Sequence, residues 1–223
     1  MKTKNIIYLA FVMLVTLSFV PGCSRSDKEV KMISGGISGE TKKVSKVINI
    51  DTTASTMNWL GKKVTGQHNG MIKIAGGEVG LDNSGSVVGG NFEMDMRTIT
   101  DIDLTDAEWN NKLITHLKSE DFFSAEKFPK SKFEITKVEP LSDPAKPNFN
   151  STVSGNLSIK GITKSISFPA SIKMENGTLT SFADFEIDRT QWDIKYGSGK
   201  FFENLGDKMI NDNFNISFKI SAR

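Results

Sequence analysis

From Lys46 onward, apolar and polar residues alternate with a period of two along most of the chain. The last run is the plainest: Phe214, Ile216, Phe218 and Ile220 are separated by Asn215, Ser217 and Lys219. Such alternation turns one side of a strand toward an apolar interior and the other toward water. Val88, Gly90, Phe92, Met94 and Met96 alternate likewise with Gly89, Asn91, Glu93, Asp95 and Arg97. Phe149, Val153, Leu157 and Ile159 stand two or four apart, and so do Leu179, Ala183, Phe185 and Ile187. Turn chemistry separates the runs: Asp82-Asn83-Ser84-Gly85, Lys160-Gly161 and Glu175-Asn176-Gly177 all suit hairpins. The pattern predicts eight or nine antiparallel strands with no βαβ rhythm. Long one-sided strands need a shared interior, and closing the sheet into a barrel removes exposed edges. The fold class is all-β.

One segment breaks the period. Thr105-Asp106-Ala107-Glu108 matches a capping box, and Trp109, Leu113 and Leu117 follow at four-residue spacing. This predicts an amphipathic helix of about three turns. Ser119-Glu120-Asp121 reads as a second helix start, which Pro129 stops. Between them lies DFFSAEKFPKSKFE (121–134), four phenylalanines in a charged and polar stretch. The short helical segment, about 105–128, is expected to cover part of the barrel. Phe122, Phe123 and Phe128 would then meet either core side chains or a ligand.

The N-terminus changes the setting. Lys2 and Lys4 precede an apolar run from Ile6 to Val20, too short for a comfortable membrane span. The run ends in Val20-Pro21-Gly22-Cys23, and Cys23 is the only cysteine. The arrangement resembles the lipobox of bacterial lipoproteins, which implies cleavage after residue 22 and lipidation of Cys23. Residues 23–45, polar and without periodicity, read as a flexible tether to a domain at 46–221. Ser24 after the cysteine is compatible with an outer-membrane anchor facing the periplasm. Removing residues 1–22 takes away two lysines and no acid, which cancels the formal charge of +2. A neutral chain has no electrostatic reason to seek nucleic acid. With no second cysteine the domain can form no internal disulfide, so its stability rests on a packed core.

Reactive constellations are missing. The sequence holds no Gly-x-Ser-x-Gly elbow, no His-Glu-x-x-His pair and no Cys-His zinc set. Tyr196-Gly197-Ser198-Gly199-Lys200 lacks the first glycine and the Ser/Thr of a phosphate loop and reads as a tight turn. His68 and His116 are the only histidines, and Asp101-x-Asp103 reads as a solvated turn rather than a metal site. No catalytic residue, metal or cofactor is assigned.

Three stretches in order, HLKSEDFFSAEKFPKSKFEI, VSGNLSIKGITKSISFP and DRTQWDIKYGSGKFFENLGDKMINDNFNISFKI, resemble the YceI-like family of lipid- or polyisoprenoid-binding proteins over about residues 46–221. Where that family carries an Arg-Asp pair before the helical leucine, this chain has Asn110-Asn111-Lys112-Leu113, so no charged role is carried over there. The resemblance implies an extended lipocalin-like antiparallel β-barrel whose apolar tunnel holds a long isoprenoid, quinone or fatty chain. The residues expected along it are Phe92, Met94, Met96, Trp109, Leu113, Leu117, Phe122, Phe123, Phe185, Phe214, Ile216 and Phe218. Barrels of about eight strands either fill with side chains or hold one small ligand, and alternation alone does not say which. A polar head group needs convergent donors beside the tunnel, for which Arg97, Arg189 and Tyr196 are candidates; each could equally be an exterior residue. The sequence therefore reads as a non-enzymatic, membrane-tethered lipid binder of the bacterial cell envelope. A protein-binding module with a filled barrel and a lipid or pyrophosphate hydrolase are the rival readings.

Overall fold

A computed structural model describes residues 43–223. The expected signal peptide at 1–22, Cys23 and nearly all of the expected tether lie outside the described residues. Nine strands and one α-helix follow in the order β1 (Lys46–Asn49), β2 (Thr56–Lys63), β3 (Gly66–Leu81), β4 (Val87–Asp101), α1 (Ala107–Lys118), β5 (Lys130–Pro140), β6 (Ser151–Ile159), β7 (Ile162–Glu175), β8 (Thr178–Asp188) and β9 (Asn213–Ala222). All pairings are antiparallel, and the β3–β4 pairing closes the sheet.

The barrel has eight positions, because β1 and β2 share one. β2 pairs with the first part of β3, from Gly66 to Met71, and β1 with its last part, from Glu78 to Leu81. At the corner between them Asp51 Oδ1 accepts hydrogen bonds from the backbone N–H groups of Thr53 and Ala54. A short polar side chain thus replaces ladder partners where the strand bends. The Ile50–Ala222 bridge carries the pairing across to β9.

The predicted hairpins form. Lys160 and Gly161 have φ of 52° and 76°, and Asn176 and Gly177 have 50° and 78°. Both pairs lie in the left-handed region that two-residue hairpin turns require. Alternation holds along the strands. Phe92, Met94 and Met96 are buried, as are Val153, Leu157 and Ile159, and Ile216, Phe218 and Ile220. Each such side chain contributes about 1.5–3 kcal/mol by leaving water.

Two local expectations change. The helix is capped by Asp106 rather than Thr105, its carboxylate accepting from the N–H groups of Glu108 and Trp109. Aspartate is the better acceptor at that position, so the helix starts one residue later. No second helix follows. Residues 119–127 form turns, with Ser124 at φ 48° and the N–H groups of Ser124 and Ala125 bonded to the carbonyls of Ser119 and Lys118. The orphan carbonyls at the end of α1 are satisfied by the chain folding back, which ends helical progress ahead of Pro129.

Candidate functional site

One end of the barrel carries α1, the β2–β3 and β6–β7 turns, and the 189–212 loop. Residues toward this end on several strands surround a cavity: Met57 and Trp59 of β2, Met94 and Met96 of β4, Leu157 and Ile159 of β6, and Phe214 and Ile216 of β9. Its roof is Leu117 of α1, Phe122 and Phe123 of the following turn, and Ile194, Ile210 and Asn211 of the loop. The free space at its centre measures about 90 Å³, room for several water molecules at the roughly 10–15 Å³ that each needs. The walls are almost wholly apolar. The polar exceptions are Ser131, Asn211 and Arg189, and the buried Ser131 hydroxyl has no hydrogen-bond partner within the protein.

Deeper along the same strands the barrel is filled. Phe92, Phe133, Phe168, Phe185 and Phe218 pack ring against ring, with centroids 5.4 Å apart for Phe92–Phe133 and 4.1 Å for the stacked Phe168–Phe185 pair. Edge contacts of Phe218 with Phe92 and Phe168 complete the cluster. Gly155 on β6 makes room for it, since a Cβ there would overlap the Phe133 ring and the Glu134 carbonyl. The aromatic cluster is the floor of the cavity.

The structure therefore divides the expected tunnel residues. Met94, Met96, Leu117, Phe122, Phe123, Phe214 and Ile216 border the cavity. Phe92, Phe185 and Phe218 form its floor, and Leu113 packs half-buried against the core. Trp109 does not reach it. It is 62% exposed, with Lys112 Nζ 4.4 Å from its ring centroid. Burial rises along the stripe from Trp109 through Leu113 to Leu117, so the apolar face of the helix meets the barrel by its C-terminal half.

The adjacent pair Phe122 and Phe123 both border the cavity, although neighbours on a helix point about 100° apart. They sit in a turn, where that constraint does not apply. Phe122 also meets His116 edge-on and Tyr196 at a tilt, at 4.9 and 5.5 Å between centroids. Phe128 covers the β6–β7 turn against Gly161, and Phe133 lies in the floor, so the four phenylalanines of 121–134 take three different places.

The head-group candidates fare differently. Arg97 lies on the outer face, its guanidinium forked onto Asp95 with both contacts at 2.9 Å. Parity requires this: Met94 and Met96 point inward, so residues 95 and 97 point out. Tyr196 stands at the rim, 43% exposed, with His116 at its ring edge. Arg189 does border the cavity and is 4% exposed. Its donors are committed elsewhere: Nε to Asn211 O, Nη1 to Ile194 O and Tyr196 O, and Nη2 to Ile210 O. Burial pulls its pKa down, opposed by the nearby Asp212 and Asp188 carboxylates. The arginine holds the loop, and the loop roofs the cavity.

Lys160 of the β6–β7 turn reinforces the roof by donating to Glu120 O at 2.9 Å and Asp193 O at 3.2 Å. The Tyr196–Lys200 turn follows a 3-10 turn, Arg189–Trp192. Trp59, Met57, Ile72, Ile99, Leu157, Ile159, Ile194 and Ile210 were not among the expected lining residues. For β2 the signal was present in the spacing Met57-x-Trp59-x-Gly61. Asp101 corrects another expectation: its side chain is fully buried rather than solvated.

The model of the YceI-like domain matches residues 48–222. Among solved structures, BcnA from Burkholderia cenocepacia is similar with a TM-score of 0.60 and 20% identity, over 78% of this chain and 99% of that one. A polyisoprenoid binding domain from Saccharophagus degradans, implicated in plant cell wall breakdown, is similar with a TM-score of 0.56 and 11% identity, over 81% and 99%. None of the curated proteins matches the chain. A closed antiparallel eight-position barrel with one helix at its end agrees with the domain match: the chain belongs to the YceI-like family.

Proposed function

We propose that this protein binds a long apolar chain, an isoprenoid or fatty lipid, in the cavity beneath Leu117, Phe122 and Phe123, and carries or sequesters it without chemistry. The observation that carries the reading is an apolar cavity at one capped end of the barrel, with a solid aromatic floor. Each buried CH₂ contributes about 0.8 kcal/mol, so no reactive group is required. Met57, Met94 and Met96 suit the walls to such a guest, because three rotatable bonds and a soft sulfur let methionine repack around it. A chain entering from the capped end would stop at the Phe92–Phe218 floor and leave its polar end at the mouth. The Saccharophagus degradans domain, described as polyisoprenoid binding, supports this ligand class.

The test is mass spectrometry of lipids that co-purify with the protein, paired with two substitutions. Phe122→Ala is expected to cost about 3–5 kcal/mol, because the ring is buried against protein. Phe123→Ala should cost clearly less and weaken lipid retention more, since that ring is only partly buried in the empty cavity. Equal losses of stability with unchanged retention would make the segment a structural plug.

The setting proposed is the cell envelope of a bacterium, with lipidated Cys23 holding the protein to the outer membrane on its periplasmic side. The motivation is the cysteine directly after Gly22 at the end of an apolar run. A Cys23→Ser variant should leave the membrane fraction. Retention of the unlipidated variant through salt and carbonate washes would remove the anchor from the proposal.

A further inference from the structure

Three residues far apart in sequence meet outside the lipid cavity, at the root of the segment that roofs it. His68 lies near the start of β3, Asp101 is the last residue of β4, and Asp103 stands two residues beyond it. His68 Nδ1 is 2.9 Å from Asp103 Oδ2 and 4.0 Å from Asp101 Oδ2, and one ligand atom from each of the three residues lies within 4.8 Å of the others.

The two carboxylates are held the same way. Asp101 Oδ1 accepts from the backbone N–H of Leu104 at 2.8 Å and from Asn110 Nδ2 at 3.2 Å. Asp103 Oδ1 accepts from the backbone N–H of Asn69 at 2.7 Å. In each, one oxygen is fixed by amide donors while the other turns toward His68. Such outer contacts orient ligands around metal ions. A second, independent observation sharpens the point. Asp101 is 7% exposed and its side chain fully buried, yet Oδ2 has no hydrogen-bond partner. No Lys or Arg forms an ion pair with either carboxylate among the described residues. A buried carboxylate oxygen left open this way is destabilising, and a cation would remove that cost.

We propose that His68, Asp101 and Asp103 form a binding site for a divalent transition metal, with zinc the best match. One imidazole nitrogen and two carboxylate oxygens suit zinc better than the all-oxygen preference of calcium or magnesium. Two donors each about 2.1 Å from a zinc ion stand about 3.4 Å apart at the tetrahedral angle. The observed separations of 2.9 and 4.0 Å bracket that figure, so side-chain shifts below about 1 Å complete the site. Water takes the remaining positions on the exposed His68 and Asp103 side. The site is structural in its consequence. It joins β3, the end of β4 and, through Asn110, helix α1, and so it staples the base of the roof to the barrel.

The test is calorimetric titration of zinc chloride into the chelator-stripped full-length chain, with thermal unfolding recorded alongside. The expected result is one tight equivalent and a zinc-dependent rise in Tm. Asp101→Asn, which keeps the shape of the side chain and its Oδ1, should weaken binding at least tenfold and abolish the Tm rise. His68→Gln, at a partly exposed position where folding is not at risk, should do the same. His116→Gln should change neither, since the one carboxylate paired with His116 among the described residues is that of the exposed Asp121. Absence of a tight equivalent overturns the proposal. So does zinc affinity that follows His116, or that is indifferent to Asp101→Asn in a variant folded by circular dichroism.

Discussion

Replacing Arg189 by methionine is expected to cost about 3–5 kcal/mol, enough to unfold a marginal domain or leave its roof unformed. Methionine roughly preserves the apolar stem and removes the guanidinium. Four carbonyls then lose their donor: Ile194, Tyr196, Ile210 and Asn211. All belong to the 189–212 loop, which has little regular structure of its own beyond two 3-10 turns. A buried acceptor stripped of its partner costs about 1–3 kcal/mol, and the loop can recover some of these by admitting water. Arg189→Lys distinguishes charge from geometry. A lysine brings one ammonium with three donors and no planar fork, so it should recover only part of the loss. Urea unfolding of the two variants beside the parent gives the measurement. A lysine variant within about 0.5 kcal/mol of the parent would show that a positive charge suffices and that the fork does not organise the loop.

The same arginine shows what the sequence could and could not tell. The barrel was legible because strand alternation is local: Phe92, Met94 and Met96, or Ile216, Phe218 and Ile220, announce their inward face by spacing alone. The outward placement of Arg97 follows from that parity too, and the same parity excludes it as a head-group donor to the interior. Arg189 is another matter. Its partners are backbone carbonyls, which every residue possesses, so nothing in DRTQWDIKYGSGK marks them. A lone arginine after a strand reads the same whether it faces ligand, solvent or its own loop.

Other gaps have equally specific causes. The sharing of one barrel position by β1 and β2 depends on pairing two short strands with distant halves of β3, which hydrophobic spacing does not encode. The stretch after α1 carries acids that favour a helix start, but fold-back hydrogen bonds to Lys118 and Ser119 prevail. That outcome decided the roof, because a turn presents Phe122 and Phe123 to one cavity where a helix could not. The meeting of His68 with Asp101 and Asp103 rests on the β3–β4 pairing, which sets Asp101 opposite Gly70, 31 residues earlier in the chain, and hydrophobic spacing does not encode that register.

Trp192→Ala is the second large effect, expected at about 3–5 kcal/mol. The indole is fully buried, at 0% exposure, in the 3-10 turn that ends β8. From there Nε1 donates to the Leu157 carbonyl at 3.1 Å, so the side chain reaches across the barrel end from β8 to β6. Leu157 lines the cavity, and Ile194, two residues beyond the tryptophan, helps to roof it. Truncation therefore opens a void beside the cavity and removes a tie between its wall and its roof. Trp192→Phe separates the contributions. It keeps most of the buried area and deletes the N–H donor, so its cost should be well under that of the alanine variant, with about 0.5–1.5 kcal/mol from the hydrogen bond. If the cavity is the lipid site, the alanine variant that remains folded should also bind differently, because its added volume adjoins the ligand. Denaturation midpoints and lipid retention measured on both variants test the two claims separately. An alanine variant as stable as the parent would mean that the 3-10 turn repacks without its indole, and the tie would then hold nothing.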